Sequence, residues 1–290
     1  MSSVHSIGFI GLGKMGGPMA LNLRRAGHEV HVFARNRESL RQAVELGAVA
    51  VDSAAELARR SDVVFLCLTD TAAVRHVVFG QDGVASGARP GSILVDHSTI
   101  SPDETAAMAR QLQADAQMSW LDAPISGGTT GATAGSLSIF VGGEQAAFER
   151  VLPLLRAVGK NITLMGPIGS GQTTKLINQV IICCSVVMLG EACGLAMRLG
   201  VDAEAIPAAL AGGRADSVAL QAYWSRLAGK DYTPHGTIKS ILKDIDLVQA
   251  AARKVGAALP LTSQVREYNQ ILSNSGHAAE DLTAIMRLLG

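Results

Sequence analysis

Between Ser6 and about Met165, short β-branched runs alternate with longer amphipathic stretches, and from Gln172 onward such runs stop. The runs Ile7 to Ile10, Val30 to Phe33, Val63 to Leu68, Ile93 to Val95, Ser119 to Leu121, Leu137 to Val141 and Ile162 to Leu164 predict strands. The stretches Met15 to Ala26, Arg37 to Leu46, Ala54 to Arg60, Pro102 to Ala114 and Glu144 to Ala157 predict helices. The fourth has Ser101 as its N-cap and Pro102 in its first position. Alternation of this kind specifies βαβ units on a parallel sheet, so residues 1–165 read as an α/β, doubly wound Rossmann domain. Residues 166–290 read as an all-α C-terminal domain.

The stretch Val180 to Val187 is rich in β-branched residues and by propensity alone could be a strand. Length decides for a helix over 172–199, because about 28 residues between Gly171 and Gly200 lack a proline and would span about 42 Å. Its apolar residues fall on nearly every face, which predicts cover from both domains or from another subunit. Its longest apolar run, Val180 to Gly190, is broken by Ser185 and flanked by Asn178, Gln179 and Glu191. That is short of the roughly 18 residues a membrane span needs, so no membrane partner is expected. Further on, Ile238, Ile241, Leu242, Ile245 and Val248 form a helical stripe that leaves Lys243 and Asp244 off the buried face.

Composition narrows the function. The 290 residues carry 25 basic and 25 acidic side chains, a formal charge of zero, so no global field attracts nucleic acid or an anionic membrane. Any anionic ligand must be held by local groups. Aromatics at 4% are too few for base-stacking platforms. Cys67, Cys183, Cys184 and Cys193 show no zinc or disulfide spacing, so no metal is expected and reduced thiols are the default. Met1 to His5 lack the features of a signal peptide, and a cytoplasmic location is expected. Glycine is the outlier, 31 against about 20 at average usage. Fourteen of the 31 fall in three stretches, Gly8 to Gly17, Gly127 to Gly143 and Gly166 to Gly171, and each contains or opens a motif that suggests chemistry.

The first stretch, Gly11-Leu12-Gly13-Lys14-Met15-Gly16, follows a predicted strand and opens a predicted helix. Such glycines allow a tight turn, close approach of a pyrophosphate and close helix packing, with the phosphates over the helix N-terminus. An NAD site would place an acid at the end of the second strand, but the chain there reads Ala34-Arg35-Asn36-Arg37, with no carboxylate before Glu38. Two guanidinium groups favour a 2′-phosphate, hence NADP over NAD; the alternative is that both arginines simply face solvent. Leu68 and Thr69, ending the third run, join the cofactor-binding set.

The second stretch runs from Asp122 through Ser126, Gly127 and Gly128 to Gly143. Backbone N–H groups and the Ser126 hydroxyl would suit a small carboxylate, although a flexible hairpin loop reads equally well. The third, Gly169 to Gln179, puts Lys175 in the first turn of the long helix with Asn178 and Gln179 three and four residues on. A lysine at the positive end of a helix is electrostatically disfavoured, and that field with partial burial would favour proton exchange near neutral pH. The alternative is an exposed, solvated lysine. His97 and His235 read as solvated loop histidines. The absence of a Gly-x-Ser-x-Gly elbow counts against a hydrolase.

Together these residues resemble the β-hydroxyacid dehydrogenase family, which includes 3-hydroxyisobutyrate dehydrogenase, 2-hydroxy-3-oxopropionate reductase and threonate dehydrogenase. The resemblance runs through Gly11 to Gly16, Ser98-Thr99-Ile100-Ser101-Pro102, Asp122 to Gly143, Gly169 to Asn178 and Lys243-Asp244. It implies hydride transfer between a nicotinamide and a small 3-hydroxy or oxo carboxylic acid; the apolar long helix suggests a homodimer or homotetramer, although burial between two domains of one chain would look the same. It also implies Lys175 as the catalytic acid and base, Asn178 as a catalytic residue that orients the substrate with Gln179 as a substrate-binding residue beside it, and a substrate carboxylate on Ser126, Gly127 and Gly128. Thr99 and Lys243 would contact the cofactor near the nicotinamide, Lys243 arriving as a cleft closes.

Two departures point to the substrate. Asn178-Gln179 replaces the paired asparagines of many relatives, and Pro234-His235-Gly236-Thr237 stands where many place a phenylalanine. Loss of that aromatic wall predicts a substrate bulkier or more hydroxylated than 3-hydroxyisobutyrate. The rival readings are a non-catalytic NADP-binding sensor and an imine reductase, both expected to lack Lys175, and 6-phosphogluconate dehydrogenase, which needs a longer helical domain.

Overall fold

The computed structural model describes residues 6–290; Met1 to His5 lie outside the described residues. The chain divides into two compact units, one running to Lys175 and the other Leu176–Gly290.

The first unit is built on a nine-stranded sheet: β1 (Ile7–Ile10), β2 (Val30–Phe33), β3 (Val49–Ala50), β4 (Val63–Leu66), β5 (Ile93–Asp96), β6 (Ser119–Asp122), β7 (Ile125–Ser126), β8 (Leu137–Gly142) and β9 (Gly159–Gly166). The order is β3-β2-β1-β4-β5-β6-β8-β7, with β9 paired to β8. Strands β1 to β6 pair in parallel, whereas β8 runs antiparallel to β6 and β7. Alternate residues divide the core between the two faces. Phe9, Val32, Phe65 and Val95 pack under α1 (Gly16–Arg25), α2 (Arg37–Glu45), α7 (Gly128–Ala134) and α8 (Gln145–Leu155). Ile10, Val64, Leu66 and Leu94 pack under α3 (Ala54–Arg59), α4 (Thr71–Phe79), α5 (Val84–Gly87) and α6 (Pro102–Ala116). Burial on both faces is why these strands read as continuous apolar runs. The order reverses between β1 and β4, which opens a crevice at the strands' carboxyl ends.

Five elements escape the hydrophobic pattern: β3, β7, α4, α5 and α7. The glycine-rich stretch is therefore no flexible hairpin loop: strand β7 ends at Ser126, and Gly127 opens helix α7. Its sequence, Gly-Thr-Thr-Gly-Ala-Thr-Ala, has poor helix propensity. Tertiary contact holds it, the Asn22 amide donating to the Ala132 carbonyl at 2.8 Å.

The long helix α9 spans Ser170–Leu199. By length and composition it is apolar enough to cross a membrane, although no uninterrupted apolar run in it reaches membrane-spanning length. Its Cys183, Val186 and Cys193 are fully buried in the second unit's core. Within the chain its cover is partial, since Ile177, Ile181, Met188, Leu195 and Leu199 are exposed. The second unit's core takes only the Cys183 side of the helix.

The remaining helices are α10 (Ile206–Leu210), α11 (Val218–Ala228), α12 (Ile238–Val255), α13 (Pro260–Leu272) and α14 (Met286–Leu289). Along α12 the predicted stripe of Ile238, Leu242, Ile245 and Val248 is buried, but so is Asp244, which the sequence reading places off that face. Asp244 lies three residues after Ile241 and four before Val248, so it shares the stripe's edge, and a hydrogen-bond partner makes its burial tolerable.

Candidate active site

The turn from β1 into α1 assigns a separate job to each glycine. Gly11 has a φ of +96°, and a Cβ there would meet the Cys67 carbonyl oxygen at 2.3 Å. A Cβ on Gly16 would meet the Gly11 carbonyl oxygen at 2.0 Å, so helix and strand pack backbone to backbone. Gly13 is exposed, and nothing lies within 4 Å of its Cβ position. Nothing inside the chain demands a glycine there, which fits a ligand approaching the backbone from outside. No side chain caps α1 at Met15, and no acidic residue stands in its first turn. Those N–H groups suit a pyrophosphate. Lys14 is exposed, and Leu12 is buried beneath the turn.

At the end of β2, Ala34 is half-buried and Arg35, Asn36 and Arg37 are exposed. Asn36 caps α2, its side-chain oxygen accepting from the N–H groups of Glu38 and Ser39. Glu38 is held by Arg41 and Gln42, which keep its carboxyl below the usual range. The nearest carboxylate is thus engaged, while no ion pair involves Arg35 or Arg37 among the described residues.

The carboxyl ends of β5 and β6 lie side by side, Asp96 in register with Asp122. The Leu68 N–H donates to Ser98 Oγ at 2.9 Å, fixing the strand end that carries Thr69, while Thr99 is half-buried beside Ser98. His97 is not a solvated loop residue. It is 2% exposed, its ring stacks on Phe65 at 5.5 Å, and Nδ1 lies 2.6 Å from the Ala123 carbonyl oxygen. Burial pushes its imidazole down to about 4, so it is neutral at physiological pH and Nδ1–H is the donor. Burial likewise pushes the Cys67 thiol up to about 12, which removes it as a nucleophile.

Asp122 was named in the sequence only as the start of a motif, and its carboxylate turns out to hold the first turn of α9. It accepts the N–H groups of Gly169 and Gln172, each at 2.7 Å. Burial raises its carboxyl above the usual range, with those N–H groups pulling the other way. The Gln172 side chain, fully buried, donates to the Ser98 carbonyl at 2.7 Å and accepts from the Ile100 N–H at 3.1 Å. Lys175 follows one turn later and is only 8% exposed. The solvated alternative for this lysine is excluded, and the bare positive helix end supposed from sequence is met by a buried carboxylate. On the same unit, Ser126 and Gly128 are half-buried and Gly127 is exposed, with φ of +127° at Gly127 and +61° at Gly128.

In the second unit, α9 continues with Asn178 and Gln179. Gln179 is buried and donates to Asp244 Oδ2 at 2.5 Å, while Asn178 Nδ2 donates to Gln179 Oε1 at 3.1 Å. Lys243 is half-buried and pairs with Asp244 at 2.9 Å. Both polar atoms of the Gln179 amide are therefore engaged by protein. Among the described residues no cluster of three or more potential metal ligands occurs.

Comparison with known proteins agrees with this layout. Residues 6–166 match the NAD binding domain of 6-phosphogluconate dehydrogenase, and residues 169–289 match the NAD-binding domain of NADP-dependent 3-hydroxyisobutyrate dehydrogenase. The chain is 40% identical to 2-hydroxy-3-oxopropionate reductase of Escherichia coli (strain K12), over 98% of this chain and 96% of the relative. Two solved structures superpose closely. The 3-hydroxyisobutyrate dehydrogenase of Salmonella typhimurium has a TM-score of 0.88 at 31% identity, covering 98% of this chain and 99% of that one. The Mycobacterium tuberculosis enzyme of that name, solved with L-serine, has a TM-score of 0.89 at 30% identity, covering 99% of both. With both halves matched in order, the chain belongs to the β-hydroxyacid dehydrogenase family of NAD(P)-dependent oxidoreductases.

Proposed function

We propose that the protein interconverts a small, hydroxylated 3-hydroxy acid and its 3-oxo acid, of the class of 2-hydroxy-3-oxopropionate, with NADP preferred over NAD. The observation that carries this reading is Lys175, an ammonium side chain buried in the first turn of α9. The Asp122 carboxylate offsets the field of the helix end, but burying an ammonium still costs desolvation, and a proton-transfer role accounts for it. In reduction Nζ gives its proton to the oxygen on which alkoxide charge develops; in oxidation it takes that proton back. Ser126 and the N–H groups of Gly127 and Gly128 bind the substrate carboxylate. Asn178 orients the reacting group, and Gln179, held by Asp244, positions Asn178 and keeps a second N–H for the substrate.

Gly11, Leu12, Gly13, Lys14, Met15 and Gly16 hold the pyrophosphate; Ala34, Arg35, Asn36 and Arg37 surround the ribose. Leu68, Thr69, Thr99 and Lys243 complete the cofactor contacts, and the bound nicotinamide supplies or accepts the hydride. Arg35 and Arg37 without ion pairs, beside a Glu38 already taken, support the 2′-phosphate form. The L-serine solved with the M. tuberculosis enzyme and the hydroxylated substrate for which the E. coli reductase is named support a polar, hydroxylated substrate.

The protein acts as a homo-oligomer in this reading. Along α9 the exposed Ile177, Ile181, Met188, Leu195 and Leu199 are spaced 4, 7, 7 and 4 residues apart, a seam suited to a second helix.

The deciding experiment is reduction of NADP and NAD by purified protein against a panel of 2-, 3- and 4-hydroxy acids, with K175A in parallel. Turnover by wild type and a loss of about 10²- to 10⁴-fold in K175A, at unchanged cofactor affinity, is expected. Near-wild-type turnover by K175A would remove Lys175 from the mechanism.

A further inference from the structure

We propose that Asp122 and Gln172 are positioning residues, a two-sided clamp that fixes the first turn of α9 and thereby the place of the Lys175 ammonium; this rests on the reading of Lys175 given above. The first turn of a helix has backbone N–H groups without partners inside the helix. Here they are satisfied from another element, since the Asp122 carboxylate at the end of β6 takes the N–H groups of both Gly169 and Gln172. The seat is built for close approach. A Cβ on Gly171 would meet the Phe140 and Asp122 carbonyl oxygens at 2.3 and 2.7 Å, and one on Gly142 would meet Asp122 Oδ1 at 2.4 Å and the Gly171 nitrogen at 2.8 Å. Only glycines at 142 and 171 let the helix end down onto β6 and β8. They also leave the carboxylate no room to swing away.

The Gln172 side chain closes the other side. Its amide spans the Ser98 carbonyl and the Ile100 N–H, so the turn is tied to the loop after β5 on either side of Thr99. Below Asp122, the bond between His97 and the Ala123 carbonyl fixes the strand end that leads on to Ser126. The turn that carries the proton donor is thus tied to the ends of both β5 and β6. Holding reacting groups to within a fraction of an ångström is worth about 10²-fold in rate, and neither clamp residue needs to touch substrate for that.

The test uses the full-length enzyme with D122N and Q172M, and S217A as a control that loses the N-cap of α11. In D122N the amide nitrogen faces a backbone donor; in Q172M the carboxylate stays and the second tie is cut. The expected result for both is a kcat lower by about tenfold or more, KM and NADPH affinity within about threefold of wild type, and a larger solvent deuterium isotope effect on kcat as proton transfer becomes limiting. S217A, though less stable, keeps the wild-type kcat and isotope effect. Should D122N fail to fold, Q172M carries the test alone. Wild-type kcat in Q172M, or losses shared equally between KM and cofactor affinity, would overturn the clamp. A wild-type protein inactive on the whole hydroxy acid panel would overturn the proposed function instead. The clamp is then judged by amide hydrogen exchange over residues 170–175, which it predicts to be faster in both variants.

Discussion

The Gln179 side chain donates to Asp244 at 2.5 Å, joining the first helix of the second unit to α12 across 65 residues of sequence. A carboxylate only accepts, so Asp244 fixes which way the Gln179 amide faces and leaves Oε1 to receive the Asn178 amide. Replacing Asp244 by Ala leaves a buried amide without its acceptor and removes the Lys243–Asp244 ion pair. Such a loss costs about 1–3 kcal/mol of stability. We expect D244A to melt earlier and to show a KM for the hydroxy acid raised about tenfold, because Asn178 loses its orientation. Steady-state kinetics with a thermal melt checks both, and an unchanged KM would separate Asn178 from substrate orientation.

Cofactor choice should reside in Arg35 and Arg37. A guanidinium bonded to a phosphate is worth about 1.5–3 kcal/mol, so R35A or R37A should raise the KM for NADP by about ten- to a hundredfold and hardly change that for NAD. If both cofactors weaken equally, the arginines serve something other than the 2′-phosphate.

His97 should make the protein acid-sensitive in a defined window. Its folded imidazole titrates at about 4, against 6.5 for an ordinary histidine. As pH falls below 6.5 the unfolded chain binds a proton that the folded chain refuses until about 4, so stability is lost across that interval, by about 3 kcal/mol. H97Q should be less stable at neutral pH but flatter between pH 6.5 and 4 in urea unfolding. Asp122, with its carboxyl raised, acts in the opposite sense and is common to both proteins.

The exposed seam on α9 predicts association through that helix. I181E with M188E places two charges in the middle of the seam and should shift the protein toward monomer in sedimentation velocity. An unchanged assembly would place the interface elsewhere.

Much of this protein is decided locally. Strand and helix periods, the turn glycines Gly11 and Gly16 and the apolar length of α9 follow from neighbours a few residues apart, and they specify a Rossmann unit followed by helices. The candidate site is legible where chemistry is carried by a short motif, as with Ser126 to Gly128 or Lys175. What holds that chemistry in place is not. Asp122 reaches Gly169 and Gln172 across 47 and 50 residues, His97 reaches Ala123 across 26, and Asp244 meets Gln179 across 65. Neither the burial of His97 nor that of Asp244 can be read from a pattern, because a polar residue is buried only where a distant partner satisfies it. The glycine surplus shows both halves of the lesson: its positions were plain in the sequence, but only packing distinguished Gly13, open to a ligand, from Gly142 and Gly171, which make room for the protein's own backbone.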